Sequence, residues 1–290
     1  MGYHGLGVAQ GGMVDTPDGD WYAFMFQDRG ALGRAPVLMP MHFEDGFPII
    51  GENGKVPEVV TVLDTGYQYA AINGSDDFFY KPDENGQITL KNFWEFNHQQ
   101  MDDFWSVTEN PGHLRLHSAK LSPTLFQAYN TLTQRTVGPK CAAEVTLRFA
   151  HMKNGDVAGI STFIGNYGFT GVKKENDQFY LIMMGRPAKD TTVFGQFEYE
   201  NPGLEYARVP IYGESICLRA EADFTNKRDL SSFYYKEGDN WQKLGIDQPM
   251  YFKMDLFTGC RFGLFYYSTE QTGGYVDFSK FQFIWPEYVY

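Results

Sequence analysis

Cysteine is scarce in this 290-residue sequence, which contains only Cys141, Cys217 and Cys260. The three form neither a Cys-x-x-Cys motif nor a cluster with histidine at the spacing of a metal site. An odd number also excludes a framework in which every cysteine is paired within the chain. Because free cysteine is among the residue types most often buried, we predict three buried free thiols.

Long apolar runs and basic clusters are also missing. No apolar stretch approaches the roughly 20 residues of a membrane-spanning helix, and residues 1–10 lack the charged and apolar regions of a signal peptide. The formal net charge is −12, without a run of lysine or arginine, which argues against nucleic acid and anionic membranes as partners. We expect a soluble chain of undetermined compartment, and a secreted or periplasmic parent is compatible with this.

Aromatic residues are abundant instead, with 25 Phe, 19 Tyr and 5 Trp. Such side chains favour the half-buried surface of a β-sheet, and their flat faces suit sugar rings. No long amphipathic helix is predicted, although residues 122–129 have room for one helical turn. Alternating runs with turn residues between them are typical of a β-sandwich; the clearest are residues 144–150, 168–174, 177–183, 261–268 and 275–283.

Three segments follow from these patterns. Residues 1–63 hold about four short strands, the content of one β-propeller blade. Residues 64–74 are small, polar and aperiodic, as expected for a linker, and residues 75–290 carry the sandwich pattern. Within the first segment, strands are predicted near residues 21–27, 37–43 and 55–63.

Residues 7–57 contain an ordered series of motifs: GVAQGGMVDTPDGDWYAFMFQDRGALGRAPVLMPMHFEDGFPIIGENGKVP. A Gly-rich turn precedes Val-Asp-Thr-Pro-x-Gly-x-Trp-Tyr-Ala, then come a Gly-Arg loop and Phe-x-Asp-Gly-Phe-Pro. This series resembles the end of the catalytic domain of glycoside hydrolase family 43. The remainder resembles the sandwich domain that follows the propeller in β-xylosidases and α-L-arabinofuranosidases of that family; the matching pieces are SDDF, WEFNH, WSVTENPGHLRL, NTLTQRTVGPKC, GDVAGIS and YGFTGVKK.

The resemblance implies an all-β fold, in which part of a five-bladed propeller, about one blade, precedes a concanavalin A-like β-sandwich or jelly roll. It also implies a glycosidase that hydrolyses xylosyl or arabinosyl linkages of hemicellulose with inversion. Inverting enzymes hold a general acid and a general base about 6.5–9.5 Å apart, with a water beside the base. The expected ligand is a xylo- or arabino-oligosaccharide.

No catalytic residue is assigned in this sequence. In the family, two catalytic carboxylates and a third that orients the sugar come from earlier blades, and no position here matches them. Asp15, Asp18 and Asp20 lie in a Pro-Gly turn, where aspartate is a common turn former. We therefore expect the chain alone to be inactive. Another chain could supply the missing propeller blades.

Three residues are predicted to bind sugar. Arg34 matches the arginine that the family's Gly-Arg loop places at the sugar, and its five donors suit hydroxyl groups; without the resemblance, an exposed loop arginine is the simpler interpretation. By the same resemblance, Gln10 or Ala9 stands where many family members carry a histidine near the propeller axis, associated with a central metal or water, and Gln10 could offer a carbonyl oxygen to calcium there. Trp241 follows a predicted turn and is the tryptophan expected to be an exposed sugar platform.

A structural calcium ion is also predicted. Related sandwiches often hold Ca²⁺ between an aspartate of the last strand, here Asp277, and groups of the first strand, here Asp76 and Asp77. Calcium takes six to eight oxygen ligands, so carboxylates from the two ends of the domain would suit it. The alternative is that Asp277 is a solvated residue at a strand end.

Two other functions are compatible with the sequence. The chain could be a non-catalytic carbohydrate-binding module that uses exposed aromatic residues of the sandwich, or a structural remnant that binds nothing. Binding of xylo-oligosaccharides without turnover would favour the module. Absence of binding, together with a poorly folded 1–63 segment, would favour the remnant.

Overall fold

The computed structural model describes residues 7–62, 64–186, 200–250 and 257–285. Within these ranges the chain is all-β, as predicted, with no α-helix and with short 3-10 turns between the strands. The ends of the predicted segments at residues 1–6, Leu63 and 286–290 lie outside the described residues.

The strands are numbered in chain order within those ranges: β1 Ala9–Asp15, β2 Trp21–Asp28, β3 Arg34–Glu44, β4 Phe47–Ile50, β5 Glu95–Asn97, β6 Trp105–Ser106, β7 Leu114–His117, β8 Thr131–Arg135, β9 Lys140–Arg148, β10 Asp156–Phe163, β11 Gly168–Glu175, β12 Gln178–Gly185, β13 Leu204–Ile211, β14 Ser215–Asp223, β15 Leu230–Glu237, β16 Asn240–Lys243, β17 Gln248–Pro249, β18 Arg261–Ser268 and β19 Tyr275–Ile284.

The first four strands form an antiparallel meander in the order β1-β2-β3-β4, which is the content of one propeller blade. Its small core contains Ala23, Met39 and Met41. The large apolar side chains of Phe24 and Phe47 remain exposed. The sheet therefore buries little apolar surface within itself.

The strand positions in this sheet differ from the prediction in two places. The Gly-rich stretch, predicted as a turn, forms β1. A Cβ on Gly11 would lie 2.0 Å from the Phe24 carbonyl oxygen, so glycine allows the irregular strand to approach β2. The predicted strand over residues 55–63 is absent from the described part, where Lys55 makes only an isolated bridge with Glu52.

Strands β5 to β19 form a sandwich of two sheets. One has the order β13-β12-β11-β10-β18-β8-β5, and the other has the order β16-β15-β14-β9-β19-β7-β6, with β17 beside β15. In β9, Ala143, Val145 and Leu147 point into the shared core, while the alternate residues are more exposed. The five alternating runs singled out in the sequence are confirmed as β9, β11, β12, β18 and β19.

The two sheets differ in how their outer faces are covered. Every residue of β10 is buried, because the segment around the 3-10 turn Leu125–Gln127 packs against that sheet and buries Phe169 and Phe265 in a second core. This turn confirms the helical turn predicted at 122–129. The outer face of the other sheet keeps its polar side chains partly exposed, as the alternating burial of β14 shows.

All three cysteines are free. Cys141 and Cys260 are buried as predicted, whereas Cys217 is only half-buried. Cys217 differs because it lies on the outer face of β14, paired with Thr146 of β9.

Candidate arginine site

Arg34 occupies the first position of β3, opposite Asp28 at the end of β2. Its Nε donates to Asp28 Oδ1 over 3.0 Å, and 19% of its side chain is exposed. The guanidinium carbon lies 4.0 Å from the ring centroid of Phe26 and 4.4 Å from that of Phe257, within the range of cation–π attraction. Arg34 is therefore partly buried, and its guanidinium is fixed by Asp28 and by two aromatic rings. It is not an exposed loop arginine.

The arginine loop, defined as residues 29–34, docks onto the sandwich. Ala31 is fully buried and belongs to the main sandwich core. The Cys260 N–H donates to the Ala31 carbonyl over 2.8 Å, and the Arg34 N–H donates to the Phe257 carbonyl over 3.1 Å. These two hydrogen bonds between the loop backbone and the sandwich backbone therefore fix the backbone position of Arg34.

Two glycines permit this close approach. Gly33 has φ 90°, in the left-handed region that other residues avoid, and a Cβ there would lie 2.7 Å from Gly259 Cα. A Cβ on Gly259 would lie 2.2 Å from the Leu32 carbonyl oxygen. Side chains at either position would separate the two backbones.

Asp229 of the sandwich also holds the loop, because its Oδ2 accepts a hydrogen bond from the Ala31 N–H over 3.0 Å. Burial raises the pKa of Asp229, and the hydrogen bond from Ala31 offsets part of that rise. No local sequence pattern predicts this contact, since Asp229 lies 198 positions from Ala31. Asp28 pairs with Arg34 because the hairpin of β2 and β3 places the two residues opposite each other.

The other two predicted sugar ligands lie apart in the fold. Gln10 is exposed at an irregularity of β1 and has φ 44°. Trp241 lies in β16, in a different sheet from Arg34, and is half-buried in a strand rather than exposed in a turn. The Arg219 guanidinium and the Lys236 ammonium lie 5.7 and 6.0 Å from its ring centroid. These two cationic side chains therefore already occupy part of the space beside the Trp241 ring that a sugar would need.

The carboxylate of Asp76 already has four polar partners, three hydrogen-bond donors and one ammonium group. Oδ1 accepts a hydrogen bond from Phe78 N over 2.9 Å and forms a salt bridge with Lys91 Nζ over 3.1 Å. Oδ2 accepts from Trp94 Nε1 over 2.8 Å and from the Tyr80 hydroxyl. Because a carboxylate has about four lone-pair sites, Asp76 has none left for a metal ion.

The carboxylate of Asp277 forms an ion pair with an arginine. Arg115 Nε and Nη2 lie 2.7 and 2.9 Å from its two oxygens, and Asn110 Nδ2 lies 2.9 Å from Oδ2. Burial raises the pKa of Asp277, but the hydrogen bonds from Arg115 and Asn110 and the charge of Arg115 outweigh it, so the net direction is downward. Asp277 is thus neither a free ligand nor a solvated strand end.

These residues do not fit the predicted calcium ion. Lys91 and Arg115 already neutralise Asp76 and Asp277, and exposed Asp77 accepts the Phe79 N–H over 3.3 Å. Across the described ranges, no group of three or more His, Cys, Asp or Glu side chains could hold a metal ion.

Asp156 is a further buried carboxylate that no local sequence pattern predicts. Burial raises its pKa, against the lowering effect of hydrogen bonds from Ser268, Tyr266 and Lys153. A carboxyl group with a raised pKa can act as a general acid. Asp156 is 0% exposed, however, and the Tyr266 hydroxyl lies 2.5 Å from its Oδ2, so we interpret it as structural.

The described chain thus combines a four-stranded antiparallel sheet with a two-sheet sandwich, and Arg34 lies where the two meet. The family model described as "Beta xylosidase C-terminal Concanavalin A-like domain" matches residues 83–284. The match covers more than half of the chain, and the chain therefore belongs to this domain family of glycoside hydrolase family 43. Among the residues described, no helix is long and apolar enough to cross a membrane.

Three relatives illustrate the similarity. A beta-xylosidase of Formosa agariphila is 27% identical over 315 residues, which cover 97% of this chain and 48% of that protein. A bifunctional GH43-CE structure from Bacteroides eggerthii has a TM-score of 0.82 and 38% identity, covering 95% of this chain and 34% of that one. An engineered GH43 glycoside hydrolase with endo-xylanase and exo-arabinofuranosidase activity has a TM-score of 0.81 and 29% identity. The match covers 95% of this chain and 54% of that one. This chain thus spans about half the length of these proteins, or less.

Proposed function

We propose that this chain is the part of a family 43 glycosidase that supplies a sugar-binding arginine and a bracing sandwich for the hydrolysis of xylosyl or arabinosyl linkages. One observation carries the proposal, namely the position of Arg34 between two aromatic rings with its Nε fixed by Asp28. A guanidinium fixed in this way donates hydrogen bonds in defined directions, as recognition of sugar hydroxyl groups requires.

In this proposal the catalytic acid and base lie outside the chain. Among the described residues, the carboxylates with raised pKa values are Asp156 and Asp229, and both accept hydrogen bonds from internal donors, while Asp28 is paired with Arg34. The relatives are longer than this chain, which supports the proposal that further propeller blades complete the site, in the same polypeptide or in another chain. The exposed apolar residues Phe24 and Phe47 of the four-stranded sheet also support it, since large exposed apolar patches often mark interaction surfaces.

The first test is a turnover assay of the chain alone on nitrophenyl β-xyloside and nitrophenyl α-arabinofuranoside. We expect no release of nitrophenol, because positioned acid and base groups each contribute roughly 10²–10⁴-fold. Turnover that disappears when a carboxylate of this chain is replaced by its amide would overturn the assignment of catalysis to other segments.

The second test supplies the missing part. The region of the Formosa agariphila beta-xylosidase that this chain does not match would be co-expressed with it, and pentose release would be measured. We expect activity that falls about 100-fold in Arg34→Met and less in Arg34→Lys, which keeps the charge but loses the fork. Restored activity that is equal in wild type and Arg34→Met would exclude the proposed role of Arg34.

The alternative of a binding module centred on Trp241 is less favoured. Arg219 and Lys236 already lie near its ring, and the ring is half-buried. The structure offers no comparable support for a remnant without function, because the arginine loop is built into the sandwich core through Ala31.

A further inference from the structure

A groove of about 450 Å³ lies at one edge of the sandwich. Its rim is formed by Tyr212, which directly follows β13, and by Gly238, in the turn between β15 and β16. Its volume is within the roughly 300–1,000 Å³ of ligand sites. The strands β9, β13, β14 and β15 all contribute to its walls, so the site is formed on regular structure from both sheets.

Tyr212 at the rim of this groove is unusual for its exposure. Its side chain is 83% exposed, and it has no ring contact with another aromatic residue among those described. Tyr69 is exposed to a similar extent, 85%, but its ring contacts Tyr67 at 4.8 Å and it does not line the groove. Tyr212 therefore presents a flat face to solvent beside a preformed depression.

The other groove residues combine apolar and hydroxyl-bearing surface. Ile211, Ile216 and Tyr235 contribute apolar area, while Thr146 and Ser215 contribute hydroxyl groups. Sugar rings pair an apolar C–H face with a rim of hydroxyls, and aromatic residues with a few polar groups match both.

The charges of the groove favour a neutral ligand. Lys236 and Glu237, its two charged residues, have opposite signs, so the lining has no net charge that would select an anion or a cation.

We infer that this groove binds a neutral xylo-oligosaccharide, with Tyr212 as the stacking platform. The inference rests on the proposed function for the class of sugar, but the groove is separate from the arginine site, since the two share no residue. It would hold a neighbouring part of the polysaccharide while hydrolysis proceeds at another position.

The test is calorimetric titration of the chain with xylotetraose. We expect saturable binding that weakens at least about tenfold in Tyr212→Ala, because the stacking surface is lost, and that is nearly unchanged in Tyr212→Phe, which keeps the ring. Tyr69→Ala is the matched control, since it removes an equally exposed tyrosine away from the groove, and it should bind like the wild type.

Cys217 provides a second readout inside the groove. It is the half-buried thiol, with its Sγ 3.2 Å from Thr146 Oγ1, whereas Cys141 and Cys260 are buried. Xylotetraose at a concentration near the wild-type Kd should slow labelling of Cys217 by an aromatic disulfide in the wild type and much less in Tyr212→Ala.

Absence of saturable binding up to about 10 mM xylotetraose, or equal affinity of wild type and Tyr212→Ala, would overturn the inference. Either result would leave the arginine proposal intact, because that proposal is judged by Arg34-dependent turnover.

Discussion

Arg115 and Asp277 form a largely buried ion pair in the sandwich, with 17% and 7% of their side chains exposed. Replacing Arg115 by Met would leave the Asp277 carboxylate, only 7% exposed, without its fork. We expect the free energy of unfolding to fall by about 3 kcal/mol, because removing one partner of a buried pair leaves the other charge buried and unpaired. Urea unfolding at pH 7 would measure this.

The matched control is Arg135→Met, which removes a guanidinium 3.9 Å from Glu95 where both side chains are about half exposed. Exposed pairs contribute about 0–1 kcal/mol, so this variant should change stability little. Equal effects of the two substitutions would contradict the special role of Arg115.

The same pair predicts a pH dependence. The folded pKa of Asp277 is lowered from its ordinary value of 3.8, so the stabilisation is present above pH 3.8 and is lost as the pH falls through the lower folded value. The stability difference between wild type and Arg115→Met should therefore shrink below about pH 3.8, in urea unfolding repeated across acidic pH. A difference that stays constant from pH 7 to pH 2 would contradict it.

Asp229 acts on Arg34 through the loop backbone and is thus a positioning residue. Asp229→Ala leaves the buried Ala31 N–H without its acceptor, which costs about 1–3 kcal/mol, and the Ala31 amide should exchange its hydrogen faster. Asp229→Asn keeps an acceptor oxygen and should protect that amide nearly as well. Amide exchange followed by NMR distinguishes them, and equal protection in the Ala variant would disprove the contact's importance.

Burial also makes Asp229 sensitive to pH. Because its folded pKa is raised above 3.8, ionisation opposes folding as the pH rises from 3.8 towards the folded value. Asp229→Asn removes this contribution and so provides the comparison.

The arginine loop is the element that joins the four-stranded sheet to the sandwich. Gly33 has φ 90° and ψ −155°, a region that only glycine occupies readily, at about 1–3 kcal/mol for other residues. Gly33→Ala should be destabilising beyond that amount, because its Cβ would meet Gly259. Thermal unfolding would show the loss.

Gly19→Ala is the control for this element. Gly19 also has φ 90°, but a Cβ there would meet no atom within 4 Å, so Gly19→Ala shows the cost of a Cβ at this φ without a contact to the sandwich, and it should lower the melting temperature less than Gly33→Ala does. Equal melting temperatures would show that backbone conformation alone accounts for the effect.

For the whole molecule, the occupied carboxylates predict insensitivity to calcium. A ligand stabilises a protein in proportion to RT ln(1 + [L]/Kd), and Asp76 and Asp277 already have cationic partners. The melting temperature should therefore be the same in excess chelator and in millimolar calcium. A rise in melting temperature that follows the calcium concentration would restore the calcium site.

Strand character and family could be predicted from the residues alone. The alternation in residues 144–150 and 275–283 is a local property that places one face in a core, and it produced β9 and β19 as expected. The glycine-rich β1 escaped prediction, because glycine satisfied a close strand contact rather than a turn.

The candidate site could be predicted only at Arg34, whose motif is continuous in the sequence. Its aromatic partner Phe257 and its backbone anchor Asp229 lie far along the chain, and Arg115 reaches Asp277 across 162 positions. Local periodicity carries no information about which distant groups meet, since those contacts form when two sheets pack and exclude water. That packing placed an arginine where calcium was expected and made the arginine loop part of the sandwich core.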